Sequence, residues 1–265
     1  MAEIDLDFKP TVPVFDANAV LGRRHDRRLR FATAIDLIGE MDRLKVERAL
    51  VYTPHAATYD TREGNEYLLQ LIGGESRLVP QFVCNPAADD LDDFEQRLRR
   101  HQIGSIRMLP AVHGYPFRDW VVGPWLEWAA ANRIPVWLPV NFGIPKRRAE
   151  LDANQLDPEA VHDTLAAFPA LQAVLCEPQI RHIAWVLPLL RSLPNLAVEL
   201  SRHAITDGVQ MFISAIGVER IMFGSRFPES PLGANLFHLF NCGLESDQLR
   251  LVCAGNLERL LGMET

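Results

Sequence analysis

Charged and polar residues follow short apolar segments at eight places along the chain, and their types are those that transfer protons and bind anions. Glu177 and His203 are the candidate catalytic residues, because a carboxylate or an imidazole can act as a general base near neutral pH. Arg107 and Arg226 carry guanidinium groups, which bind carboxylates and phosphates through paired hydrogen bonds. The other candidate substrate-binding residues supply amide or imidazole groups: Asn18, His113 and Asn141.

The apolar segments before these residues are near-continuous runs of Val, Ile and Leu, which is typical of parallel strands covered on both faces. Amphipathic segments between them predict helices, including one capped by Thr33, one opened by Pro124 and one opened by Pro158. The alternation predicts an α/β fold, a single (β/α)₈ TIM-barrel domain over residues 1–265, with functional groups at the carboxyl ends of its strands. The predicted strands are Val12–Phe15, Ala49–Tyr52, Val79–Cys84, Ser105–Leu109, Val136–Val140, Ala173–Cys176, Ala197–Leu200 and Ile221–Phe223.

Composition excludes several function classes. The 265 residues are 48% hydrophobic and carry a net charge of −7, which argues against binding to nucleic acid or to an anionic membrane surface. Four scattered cysteines and an acidic start without a signal segment favour a cytoplasmic protein. Arg107 and Arg226 at the predicted mouth make a small-molecule anion the expected partner, and a homodimer is a reasonable default.

Seven stretches of the sequence resemble consecutive landmarks of the amidohydrolase-related family, of the amidohydrolase 2 type. They span residues 15 to 262 and occur in the family's order: FDANAVLG, IGSIRMLPAVHGYPFRD, RIPVWLPV, FPALQAVLCEP, LPNLAVELS, VERIMFGSRFP and AGNLERLLG. The resemblance implies a TIM barrel and a metal-dependent hydrolase.

The residues that the resemblance assigns to the metal are replaced. The family opens with D-x-H-x-H, but here Asn18 and Val20 follow Asp16. The family's histidines on strands five and six correspond to Pro139 and Glu177. Its aspartate on strand eight corresponds to Arg226, whose fixed positive charge repels a divalent cation. We therefore expect no metal and no other cofactor.

A guanidinium at the mouth of the barrel needs an anion, and two sources are open. Arg226 either pairs internally with Glu177 or Glu199, which we favour, or binds the carboxylate or phosphate of a substrate. Two clusters of basic residues follow strands one and five and would make the mouth basic: Arg23, Arg24, His25, Arg27, Arg28 and Arg30, then Lys146, Arg147 and Arg148.

Three functions remain open. The first is a metal-independent hydrolase or lactonase for a small carboxylate or sugar-acid-like substrate, with Glu177 or His203 as base, Arg107 and Arg226 on the anion, and Asn18 or Asn141 on the reacting carbonyl. The second is a non-catalytic barrel that binds a ligand or partner. The third is a metallohydrolase whose divalent ion has moved to other ligands.

Overall fold

The computed structural model describes residues 8–24, 30–141, 155–203, 205 and 207–263. The described strands are β1 (Phe15–Val20), β2 (Arg48–Tyr52), β3 (Leu78–Pro80), β4 (Phe82–Cys84), β5 (Ile106–Met108), β6 (Val136–Pro139), β7 (Ala173–Cys176), β8 (Leu196–Glu199) and β9 (Ile221–Met222). The α-helices are α1 (Ala34–Leu44), α2 (Pro54–Thr58), α3 (Thr61–Ile72), α4 (Leu91–Arg100), α5 (Pro110–His113), α6 (Asp119–Ala131), α7 (Pro158–Ala167), α8 (Ile183–Ser192), α9 (Gly208–Ile216), α10 (Leu232–Phe240), α11 (Ser246–Arg250) and α12 (Asn256–Leu261).

The strands form a closed parallel (β/α)₈ barrel, as the sequence predicts. β3 and β4 are two halves of one barrel strand, because the backbone N–H of Gln81 between them still donates to Val51 O at 2.8 Å. All strand pairings are parallel. β1 then closes the ring, since Ala17 N donates to Phe223 O at 2.9 Å and Val20 N donates to Phe227 O at 2.7 Å.

Apolar side chains fill two layers on either side of the strands. Inside the lower half of the barrel, Phe15, Leu50, Trp137 and Met222 pack together with the small side chains of neighbouring strands. A larger cluster lies between the outer face of the strands and the helices. Residues that alternate along each strand therefore enter different layers.

Two sequence predictions about elements are wrong. The first strand runs over Phe15–Val20 rather than Val12–Phe15, so Asp16 and Asn18 lie within it and not after it. The polar side chains in FDANAV interrupt the apolar run, but the interior of the barrel mouth buries them completely. Helix α6 begins at Asp119, and Pro124 lies inside it rather than opening it.

Helix boundaries elsewhere follow local chemistry. Thr33 caps α1 as predicted, and it forms a reciprocal capping box with Asp36. Pro158 opens α7 after the N-cap Asp157. Gly73 ends α3 in the left-handed conformation (φ 61°), which is the stop signal that the Gly73-Gly74 pair predicts.

The contact between α2 and α3 depends on a missing side chain at Gly64. A Cβ atom there would lie 2.2 Å from the backbone nitrogen of Ala56. We expect Gly64→Ala to lower the free energy of unfolding by about 1–3 kcal/mol, because the backbone of α2 has to move. A Cβ atom added at Gly39 in α1 would have no other atom within 4 Å. Because alanine is the better helix former, Gly39→Ala should raise the free energy of unfolding by about 0.5–1 kcal/mol. Urea unfolding of both variants measures the difference, and equal effects would contradict this packing.

Candidate active site at the barrel mouth

Asn18 is the centre of the polar side chains at the carboxyl ends of the strands. Its Nδ2 donates to Glu199 Oε2 at 3.0 Å and to Ser201 Oγ at 3.2 Å, and it lies 3.5 Å from Glu177 Oε1. Its Oδ1 accepts a hydrogen bond from Arg107 Nη2 at 2.9 Å. Asn18 thus links strands one, four, six and seven of the barrel, and its amide oxygen is already engaged.

Arg226 forms an internal ion pair with Glu177, one of the two internal partners that the sequence left open. Arg226 Nε lies 2.8 Å from Glu177 Oε2, and both side chains are almost completely buried. The pair is held by charge more than by an aligned hydrogen bond, because neither atom satisfies hydrogen-bond geometry. Burial lowers the pKa of Arg226, but attraction to Glu177 and Glu229 outweighs it and raises the pKa overall.

The ion pair extends into a chain of alternating charges. Arg226 Nη2 lies 2.5 Å from Glu229 Oε2, and Arg24 Nη1 lies 2.6 Å from the other oxygen of Glu229. At the other end, Arg202 Nη1 lies 3.8 Å from Glu177 Oε2. Each carboxylate therefore lies between two guanidinium groups, which offsets the cost of burying these charges.

The backbone directs both members of the central pair into the mouth. Glu177 and Arg226 have φ angles of 61° and 58°, the left-handed region that residues other than glycine rarely adopt. The backbone N–H of Arg226 donates to Asn18 O at 2.6 Å, so the turn after β9 is tied to β1. Uncommon φ values of this kind cluster at functional sites, where the surrounding structure holds them in place.

Glu199 is a buried carboxyl group at the end of β8. Burial, followed by repulsion from Glu177, raises its pKa to about 8, although hydrogen bonds from Ser201 act in the opposite direction. Its side chain fits only because residue 224 is glycine, since a Cβ there would overlap Glu199 Oε1. Glu199 is thus predominantly protonated at neutral pH beside an arginine-paired Glu177.

Arg107 is a buried cation without a carboxylate partner in the described part of the chain. Its Nε donates to Gln81 Oε1 at 2.7 Å, and its guanidinium carbon lies 3.9 Å from the centre of the Tyr52 ring. Its Nη1 is buried, and no described residue accepts a hydrogen bond from it. This N–H group can bind an anion that enters the barrel.

Asp16 is also buried, but it has a structural role. Its carboxylate accepts hydrogen bonds from the backbone N–H and the hydroxyl of Ser225 and from Asn18 N. Burial raises its pKa, and these hydrogen bonds oppose the shift. The carboxylate fixes the turn after β9 against β1.

The remaining predicted site residues lie farther from the ion pair. His203 packs edge-on against Phe212 in the apolar layer between the strands and the helices, and burial lowers its pKa to about 4. Neither of its ring nitrogens hydrogen-bonds to a described residue. His113 Nε2 lies 3.0 Å from Ala57 O, and Asn141 Nδ2 lies 3.1 Å from His182 Nε2.

Sequence reasoning missed three contributors to this site. Tyr52 and Gln81, which hold Arg107, carry no sequence signal beyond their places in apolar strands. Glu229 lies three residues after Arg226, and that spacing was a usable signal for a partner. Of the predicted basic clusters, Arg24 pairs with Glu229, whereas residues 25–29 and 146–148 lie outside the described residues.

The described side chains do not fit a divalent metal ion. Asn18 directs its amide nitrogen, not its oxygen, at the carboxylates, and Arg226 places a guanidinium group beside Glu177, where its charge repels a divalent cation. Among the described residues, no three His, Cys, Asp or Glu side chains are arranged to hold a metal. No described helix has the length and hydropathy of a membrane span.

Comparisons with known proteins agree on the fold. The sequence profile described as Amidohydrolase matches residues 18–263. No curated protein sequence matches. Three solved structures are similar over nearly their whole length, and at these identities they establish the fold alone. An uncharacterised TIM-barrel protein from Bordetella bronchiseptica has 16% sequence identity and a TM-score of 0.75, and the match covers 97% of this chain and 99% of that chain. 5-Carboxyvanillate decarboxylase from Sphingomonas paucimobilis has 14% identity and a TM-score of 0.76, with 96% of this chain and 100% of that chain covered. A manganese-bound dihydroxybenzoic acid decarboxylase from Polaromonas has 12% identity and a TM-score of 0.71, with 95% of this chain and 97% of that chain covered.

The raised pKa of Glu199 predicts a pH dependence of stability. The folded protein keeps a proton on Glu199 between about pH 4.5 and 8, whereas the unfolded chain releases it near its ordinary value. The proton on Glu199 therefore stabilises the folded state. This stabilisation is fully present below pH 4.5, and it decreases by up to roughly 1.4 kcal/mol for each pH unit as the pH rises towards 8. Denaturant unfolding at several pH values should show that slope reduced in Glu199→Gln but retained in the exposed control Glu127→Gln. Identical slopes in all three proteins would rule out a protonated Glu199.

Removing one side of the buried ion pair should cost far more than removing both. Arg226→Met leaves Glu177 buried without its main counter-charge, so we expect the free energy of unfolding to fall by about 3–5 kcal/mol. Adding Glu177→Gln to the same chain should restore most of this loss, because it removes the uncompensated charge. Arg99→Met, which breaks the exposed pair with Glu95, should cost at most about 1 kcal/mol. Equilibrium unfolding of the wild type, the two single variants Arg226→Met and Glu177→Gln, the double variant and Arg99→Met measures the coupling, and additive losses in the double variant would contradict it.

Proposed function

This chain belongs to the amidohydrolase family, and we propose that within it the chain is a metal-independent hydrolase for a small carboxylate-bearing ester or lactone. The observation that carries the proposal is the buried Arg226–Glu177 ion pair. The resemblance described above assigns the family's metal-binding aspartate to the position of Arg226. A guanidinium there repels a divalent ion and at the same time supplies positive charge to the site.

Arg107 is the proposed contact for the substrate's carboxylate. Its unpartnered Nη1–H is a charged donor, and the opposite side of its guanidinium is fixed by Gln81 and Asn18. The mouth beside it is apolar, because Val20, Tyr52, Val83 and Leu109 of strands one to four cluster there. A small molecule with one carboxylate and an apolar body is complementary to this combination.

Glu177 and Glu199 are the proposed acid–base pair. Asn18 Nδ2 lies within 3.5 Å of both carboxyl groups, and the backbone N–H of Glu177 donates to Glu199 Oε2 at 3.3 Å. Glu199, whose pKa is raised by burial, is the proposed acid, and Glu177, whose carboxyl group faces Arg226, is the proposed base. His203, our alternative base, is not retained because its ring lies in the apolar layer behind the strands.

The reaction then needs no group beyond water and these side chains. Glu177 takes a proton from water as the oxygen attacks the carbonyl carbon, and the carbonyl reforms as the bond to the alkoxide breaks. The proton of Glu199 passes to the alkoxide, which leaves as an alcohol. As Glu177 becomes protonated, negative charge develops on the carbonyl oxygen, and the guanidinium groups of Arg226 and Arg202 beside Glu177 are the proposed cations that stabilise it. The proton on Glu177 then passes to Glu199, which restores both carboxyl groups.

A non-catalytic binding barrel is the second candidate, and one contact favours it. The ion pair with Arg226 engages Glu177 Oε2, so proton transfer at Glu177 competes with a buried charge interaction. In this alternative Arg107 still binds an anion, but no bond is broken. The two functions therefore share a ligand class and differ only in turnover.

One set of assays separates these functions. We expect elemental analysis of gently purified protein to find divalent metal far below one equivalent, and EDTA to leave hydrolysis of carboxylate-bearing lactones and esters unchanged. Glu177→Gln should lower kcat by about 100-fold or more, as expected for loss of a general base. Arg107→Met should weaken binding of the same compounds in calorimetry.

The outcomes are distinct. Carboxylate binding that depends on Arg107 without any turnover supports the non-catalytic barrel. Near-stoichiometric zinc or manganese, with activity lost on chelation, would support a re-sited metal and reject the proposal. Unchanged turnover in Glu177→Gln would reject the assigned base.

A further inference from the structure

A second cavity lies at the end of the barrel opposite the mouth. Its volume is about 520 Å³, which is in the range of small-molecule sites. It is lined by residues that precede β6, β7, β8 and β9, namely Pro135, Gln172, Asn195 and Arg220. It therefore lies at the amino ends of the strands. We call it the basal cavity.

Three guanidinium groups and one carboxylate line the basal cavity: Arg133, Arg220, Arg259 and Glu219. None of the three arginines lies within 4 Å of a carboxylate oxygen among the described residues. Positive charge therefore exceeds negative charge around the cavity, although the chain as a whole carries −7. A concave surface with one sign of charge concentrates ions of the other sign.

Two of these arginines are fixed by neutral groups. Arg220 Nη1 donates to the carbonyl oxygens of Leu190, Leu193 and Leu196, at 2.8 to 3.2 Å. Arg259 Nη2 donates to Glu219 O at 2.7 Å and to Asn256 Oδ1 at 2.9 Å. These contacts hold the guanidinium groups in position without cancelling their charge, which is the preorganisation that an anion site requires.

Arg133 is placed differently. It follows α6 in the left-handed conformation, with φ 55°, and its side chain is exposed at the cavity rim. The walls between the arginines are largely apolar and include Ala129, Pro194 and Leu260. The cavity thus combines an apolar surface with a cationic rim.

We propose that the basal cavity is a second binding site, for a small amphipathic anion with an aromatic or aliphatic body and one carboxylate, sulfonate or phosphate group. The body lies against the apolar wall, and the anionic group meets the guanidinium groups at the rim. The site is separate from the mouth, because its lining precedes the strands whose far ends carry Glu177 and Arg226. It does not depend on the proposed hydrolase activity.

Titration of the full chain with 8-anilinonaphthalene-1-sulfonate tests the site, since this probe joins an aromatic body to one sulfonate. We expect saturable binding to one site per chain, weakened by added salt because the contact is ionic. Arg133→Glu reverses a charge at the rim, and Ala170→Trp fills the entrance from an exposed position. Each should raise the dissociation constant by about tenfold or more.

Arg100→Glu is the matched control, because it makes the same charge change at an exposed arginine that does not line the cavity. Its affinity for the probe should equal that of the wild type. Far-UV circular dichroism and thermal unfolding confirm that the variants are folded. Wild-type protein that does not bind the probe would overturn the proposal, and so would binding that both cavity variants leave unchanged.

Discussion

The ion pair between Arg226 and Glu177 is the interaction on which the rest of the barrel mouth depends. A buried guanidinium without a counter-charge costs several kcal/mol, and so does a buried carboxylate. Each compensates for the other, and Glu229 and Arg202 extend the compensation outward. Once Arg226 is present, Glu177 has a structural role that it lacks in any arrangement built around a metal ion.

This pairing has consequences for the neighbouring groups. Burial raises the pKa of Glu199, and repulsion from the neighbouring Glu177 adds to that effect. Asn18 then serves both carboxyl groups as a donor and Arg107 as an acceptor. The mouth is consequently charged on the side of strands six to eight and apolar on the side of strands one to four.

The sequence predicts the repeated elements well. Each strand of the barrel is covered on both faces, so it appears in the sequence as a near-continuous apolar run. It fails at the first strand, where FDANAV mixes apolar and polar residues and the polar ones are also buried. The sequence limited the internal partner of Arg226 to Glu177 or Glu199, and the structure pairs it with Glu177. Tyr52 and Gln81 were missed, since nothing in a single sequence distinguishes a strand residue that faces a buried cation from one that faces the apolar core.

Position after a strand is also an incomplete guide to function, as His203 shows. It follows β8, which predicts a place at the mouth, yet its ring packs on Phe212 between the strands and the helices. The direction of the backbone after the strand determines whether the side chain lies in the mouth or between the strands and the helices. Tertiary contacts set that direction. Arg226 and Glu177 show the opposite outcome, because their left-handed φ angles direct the side chains into the mouth.

The family landmarks that this chain retains are those that hold the barrel closed. Asn256 of the G-N-x-x-R-L-L-G segment donates to Val218 O and Ile221 O, and Arg259 of the same segment donates to Glu219 O, so both fix the entry into β9. Asp16 similarly fixes Ser225 at the exit from β9. The residues that the resemblance assigns to the metal site lie at the mouth and take no part in these contacts at the entry into β9. Resemblance to the family therefore carries the fold reliably, whereas the chemistry follows from the few side chains around Arg226.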